Sequence, residues 1–138
     1  MTTSTQPVPL AATTAITTGL DRVLPIVGRV LIAAIFILSG LSKLADPAGT
    51  IGYIASVGIP FPALALAGAV LVEVVGGVLL IAGYRMRAVA TVIAVFSLAT
   101  AVLFHHNLAD QNQFIHFFKN VAIAGGLLQV VAFARARG

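Results

Sequence analysis

Apolar residues in this chain fall into long runs with few polar interruptions. The first run, VLPIVGRVLIAAIFILSGLSKLA, extends from Val23 to Ala45. At ~1.5 Å per residue it covers ~34 Å, enough to cross a bilayer with some tilt. Asp46-Pro47 stops it, because proline cannot continue the helical ladder and disfavours helix in the residue before it. The next stretch is apolar but broken by Gly49, Gly52, Gly58, Pro60 and Pro62, which predicts a segment lying at the interface or dipping into it. Three further runs follow, Ala63–Gly83, Ala88–Phe104 and Phe117–Ala134. The last is short and interrupted by Gln129, and relies on Lys119 reaching back to the headgroups to lengthen it. The pattern predicts an all-α membrane protein, a bundle of four transmembrane helices.

Residues 1–20 carry no charge and are rich in Thr, with Pro7 and Pro9. No basic stretch precedes an apolar one, so they read as a disordered tail and not as a signal peptide. Residues 21–138 then form the transmembrane domain.

Composition agrees. Of the 138 residues, 59% are hydrophobic and 9% charged, and the mean hydropathy is +1.07. A soluble domain of this size needs far more charge to cover its surface. The net charge of +4 does not indicate nucleic acid, since the basic residues sit singly or in pairs at the ends of apolar runs. That placement instead sets an orientation. Arg22, Arg29, Arg85, Arg87, Arg135 and Arg137 fall on one side, and only Lys43 and Lys119 at the margins of the other. Both termini are therefore expected in the cytoplasm, with the 46–62 and 105–116 loops outside. The chain has no cysteine, which rules out a disulfide, a thiolate metal site or a dithiol relay within it.

Insertion energetics single out the polar residues. Eleven Leu, Ile and Val residues in the second run contribute roughly −4 to −6 kcal/mol together. A carboxylate at the helix centre costs roughly 2.5–3.5 kcal/mol on the same scale. Glu73 occupies that centre, so it should face the bundle with a partner, and Arg29 is the first candidate. Ser97 and Gln129 fall at similar depth, so every helix brings one polar group inward. Mostly small residues share those stripes: Ala33 and Gly40, with Phe36, beside Arg29 and Lys43; Ala65, Ala69 and Gly77 with Glu73; Ala90, Ala94 and Ala101 with Ser97; Ala122, Gly125, Gly126 and Ala132 with Gln129. These groups serve either as interhelical glue or as a site, and a protonated Glu73 would suit proton handling.

A second polar group belongs to the outer face: Ser39, Lys43 and Asp46 at the end of the first helix, with His116, Lys119 and Asn120 at the start of the fourth. Two ammonium groups, an amide and a hydroxyl suit an anion or a quinone carbonyl. Snorkelling to the headgroups is the competing account of Lys43. His105, His106 and His116 invite a metal or haem. A membrane haem needs histidines on different helices at equal depth, whereas these lie in or beside a loop, so no metal site is assigned.

Three elements, GRVLIAAIFILSGLSKLADP, EVVGGVLLIAG and FFKNVAIAGGLL, resemble the DoxX family of small four-helix bacterial membrane proteins. The likeness covers residues 26–134. It implies a multi-pass protein of the bacterial cytoplasmic membrane, associated with redox systems. Relatives include subunits of a quinone-reducing thiosulfate oxidoreductase; others use cysteines that this chain lacks. The positions matching the family's polar pattern are Arg29, Ser39, Lys43, Glu73, Lys119 and Asn120. No flavin, nucleotide or iron–sulfur fingerprint is present, so electrons would pass through a bound quinone or a partner subunit. Three readings follow. The chain is an accessory or quinone-interacting subunit of a redox complex, or a small transporter or proton-conducting module that works as an oligomer, or a non-catalytic scaffold in the lipid bilayer whose Arg29–Glu73 pair only locks the bundle. None of them involves nucleic acid.

Overall fold

A computed structural model describes the backbone of residues 10–134 and the side chains of residues 18–134. Five helices account for nearly all of it: α1 Leu10–Ala45, α2 Pro47–Ser56, α3 Pro62–Ala82, α4 Met86–Phe104 and α5 Gln111–Phe133. Four of them, all but α2, are long and apolar enough to cross a membrane. The four-helix membrane bundle read from the sequence is the observed architecture.

Boundaries differ in three places. The segment expected to be an unstructured tail through residue 20 is helical from Leu10; residues 1–9, like Arg135 and Arg137, lie outside the described residues. The broken stretch after Pro47 forms a short helix. Asp46 caps it by accepting from the Gly49 N–H at 3.0 Å, and Pro47 occupies the first turn, where its missing N–H does no harm. Gly58 and Phe61, both at positive φ, then turn the chain into α3. The fourth crossing begins at Gln111, six residues before the expected Phe117, because the Asp110 side chain accepts from the Gln113 N–H at 2.9 Å and starts the helix there. It reaches membrane-spanning length without help from Lys119.

The helices pack in an antiparallel round, α1 against α3, α3 against α4, and α4 most extensively against α5. A core of Ala33, Phe36, Leu80, Ala90, Ile93, Ala94, Ala124 and Leu127 fills the centre. Leu31, Leu38, Leu64 and Val95 are exposed, as residues facing lipid should be. Three of the four expected inward stripes are observed. The fourth is not: α5 turns Ala124 and Leu127 inward and leaves Ala122, Gly125, Gln129 and Ala132 exposed. Leu and Ile carry as little information as Gly about which face meets protein when lipid is equally apolar.

Glycines set how closely α1 and α3 approach. A Cβ on Gly40 would come within 2.6 Å of Val74 Cγ2, and one on Gly77 within 2.6 Å of Ile37 Cγ1. Midway along α3, Leu71–Val75 forms a π-helical turn centred on Glu73. Such a bulge inserts one residue into the helix and redirects the side chains on it.

Candidate functional site

The glycine contacts fix the register of α1 on α3. Gly40 meets Glu73 and Val74, Ile37 meets Gly77, and Arg29 lies beside Gly83. Glu73 is ten residues from Gly83, ~15 Å along the axis, beyond the reach of an arginine. The Arg29–Glu73 pair expected from the sequence is therefore not formed. That expectation counted depth from Val23, but α1 continues well past Val23, so Val23 marks no common level.

Glu73 pairs instead with Lys43. Lys43 Nζ donates to Glu73 Oε1 at 2.9 Å and to Ser39 Oγ at 2.7 Å, and Ser39 Oγ donates to the same Oε1 at 3.0 Å. Lys43 and Ser39 are one helical turn apart, and the π-turn aims Glu73 at both. Glu73 is only 4% exposed. Lys43 thus turns inward and does not snorkel. Glu73 Oε2 is buried and has no hydrogen-bond partner among the described residues.

This triad opens into a cavity of about 510 Å³. Phe36, Phe96 and Ile123 give it apolar walls, α2 covers it with Thr50, Tyr53 and Ile54, and His105, His116, Lys119 and Asn120 bring further polar groups. Lys119 Nζ donates to His116 Nδ1 at 3.0 Å, placing the ring proton on Nε2. The His105 and His116 rings stack with centroids 5.1 Å apart. Burial first, then the electrostatic influence of His116 and Lys119 against a second positive charge, holds the His105 imidazole below its ordinary 6.5. The Asn120 carboxamide approaches Thr100 Oγ1 at 3.4 Å, while its backbone carbonyl accepts from Ser97 at 3.0 Å. Tyr53 donates to the Phe104 carbonyl at 3.4 Å, which ties α2 to α4 across the cavity mouth.

Of the outer cluster expected from the sequence, Ser39, Lys43, His116, Lys119 and Asn120 converge here, and Asp46 does not; it is spent on capping α2. Of the expected intramembrane core, Glu73 belongs to this cavity. Ser97 is buried against the α5 backbone, and Arg29 and Gln129 line a separate cavity at the other end of the bundle. Tyr53 and His105 were not singled out as site residues. Tyr53 sits in the apolar stretch broken by glycine and proline, and His105 among the histidines in or beside a loop.

Residues 24–106 match the DoxX family. The chain belongs to the DoxX family. Two DoxX-like relatives in Escherichia coli are inner membrane protein YphA, 38% identical over 77% of this chain and 79% of its own, and inner membrane protein YqjF, 38% identical over 79% and 82%. No solved structure matches the chain. With four membrane-length helices and inner-membrane relatives, this DoxX protein is a multi-pass protein of the bacterial inner membrane. The DoxX match includes Ser39, Lys43, Glu73 and His105, and ends before His116, Lys119 and Asn120.

Proposed function

We propose that this DoxX protein binds the head of a membrane quinone in the Lys43–Glu73 cavity and serves a membrane redox system as an accessory, quinone-interacting subunit. The observation that carries the reading is Glu73 Oε2, buried beside an ion pair on the wall of a cavity of mixed apolar and polar lining and without a hydrogen-bond partner among the described residues. A buried acceptor without a donor is costly, and a ligand hydroxyl relieves that cost. The cavity is the size of a ring with a short stretch of tail, and the ligand's class follows from its two kinds of lining. Lys119, His116 Nε2 and Asn120 offer donors for a carbonyl, and Glu73 Oε2 offers an acceptor for the hydroxyl of a reduced ring.

When bound, a quinone supplies reversible two-electron chemistry that no side chain here supplies. The protein's part is to bind and orient the head, exclude water with α2, and take or hold a proton at Glu73 Oε2 while Lys43 balances the charge. Electrons come from a partner oxidoreductase. In this reading the termini are cytoplasmic and the cavity lies in the outer half of the membrane, in keeping with the arginine-rich 84–87 loop.

A conducting path is less well supported. No described residue lines both cavities, and Ala33, Leu80 and Ile93, fully buried, fill the space between them.

The test is purification in mild detergent followed by organic extraction, with titration of a short-tailed quinone and its reduced form. Retention by the native protein, weakened about tenfold or more in Glu73→Gln, supports the proposal. A protein that neither retains nor binds either form, and brings down no oxidoreductase, overturns it.

A further inference from the structure

The second cavity, about 660 Å³, lies between the Arg29 stretch of α1, the far end of α3 and the last turns of α5. Arg29 is the polar centre of its wall. Its Nη1 rests 2.6 Å from the Met86 thioether sulfur, a weak acceptor, and its Nε is buried with no partner among the described residues. Among the described residues no carboxylate lies within ion-pair distance of Arg29; the ion pair found there joins Lys43 to Glu73. Asp21 and Arg22 line the mouth two turns up the same helix, so the wall holds two cations to one carboxylate. A half-buried guanidinium at the membrane edge, level with Gly83 at the end of α3, with a planar fork of donors and only the Met86 sulfur against it among the described residues, is built for an oxyanion.

The rest of the wall is apolar. Pro25, Ile26, Ile32, Val130 and Phe133 continue the lining outward between α1 and α5. Gly28 leaves the groove open, since a Cβ there would meet nothing within 4 Å. A free phosphate has no use for such a surface, whereas an acyl chain does.

We propose that this cavity binds an anionic phospholipid, its phosphate on Arg29 and the head of its acyl chain along the α1–α5 groove. The site stands apart from the quinone cavity and does not depend on it. Bound lipid completes the bundle on the face where α1 and α5 are least joined, and supplies the counter-charge that Arg29 lacks.

The experiment uses the full chain, delipidated in mild detergent, and reads thermal unfolding together with lipid adducts in native mass spectrometry. Phosphatidylglycerol, phosphatidylcholine and inorganic phosphate are added separately. Phosphatidylglycerol should raise the unfolding temperature and remain bound, and Arg29→Gln should weaken that binding about tenfold or more. Arg87→Gln, an exposed arginine outside the cavity, should leave it unchanged. Gly28→Leu keeps the guanidinium and fills the groove, so it should fold without lipid as the native protein does yet lose the adduct. An equal response to phosphatidylcholine, full reproduction of the effect by inorganic phosphate, or undiminished phosphatidylglycerol binding in both Arg29→Gln and Gly28→Leu would overturn the proposal.

Discussion

Lys43 and Glu73 show how a single register decides what an ionisable residue does. Removing one member of a buried pair strands the other, whereas removing both strands neither. Lys43 is partly exposed, its side chain at 26%, so we predict that Lys43→Met costs about 2 kcal/mol, less than the ~3–5 kcal/mol of breaking a fully buried pair. The double variant Lys43→Met with Glu73→Gln should recover part of that loss. Unfolding temperatures of the two single variants and the double variant, in one detergent, check it; strict additivity would mean the pair is not coupled. His105 gives a pH signature. Its imidazole is held below 6.5 in the fold, first by burial, so the unfolded chain takes up the proton first as pH falls. Its contribution is therefore complete above 6.5 and lost as pH drops towards the folded value. We predict a decline in stability on acidification from pH 6.5 that is shallower in His105→Gln. A native-like slope in that variant would assign the decline to other groups.

At the scale of the element, α3 carries the most information per residue. Its π-turn aims Glu73 at α1, and Gly77 one turn on lets the two helices touch. Gly77→Ala would press a methyl against the stiff, β-branched Ile37, and we predict a loss of about 1–3 kcal/mol. Gly68→Ala on the same helix meets nothing within 4 Å, and we predict no loss, or a gain of up to about 1 kcal/mol from helix propensity. Measured side by side, equal effects would contradict the close approach of α1 and α3. The π-turn had no counterpart in the sequence reading, because LVEVV has the composition of any apolar helix and the inserted residue is a backbone event. Nor did the sequence show which face of α5 meets protein.

At the scale of the molecule, four crossings place the 46–62 and 105–116 loops on one side of the membrane and the 84–87 loop on the other. We predict that reporters fused at positions 50 and 110 report the periplasm, and one at 86 the cytoplasm. The reverse pattern would invert the proposed orientation and set the quinone cavity towards the cytoplasm. The same arrangement gives the bundle two unlike ends, a cavity with a buried acid–base pair at one and an arginine-lined cavity at the other, with packed core between.

The number of crossings, their approximate limits and the polar residues needing an explanation follow from the sequence alone, because pairing the polar backbone within a helix and presenting apolar side chains to lipid is a local requirement that each segment meets by itself. Residues Ser39, Lys43, Lys119 and Asn120 were legible as one cluster for the same reason: they lie near the ends of helices whose order puts those ends together. Partnership was not legible. Whether Glu73 meets Arg29 or Lys43 depends on the stagger of α1 against α3, set by where Gly40 and Gly77 let the backbones close and by how far α1 runs beyond its apolar segment. Lipid leaves that stagger free, so only packing between helices decides it.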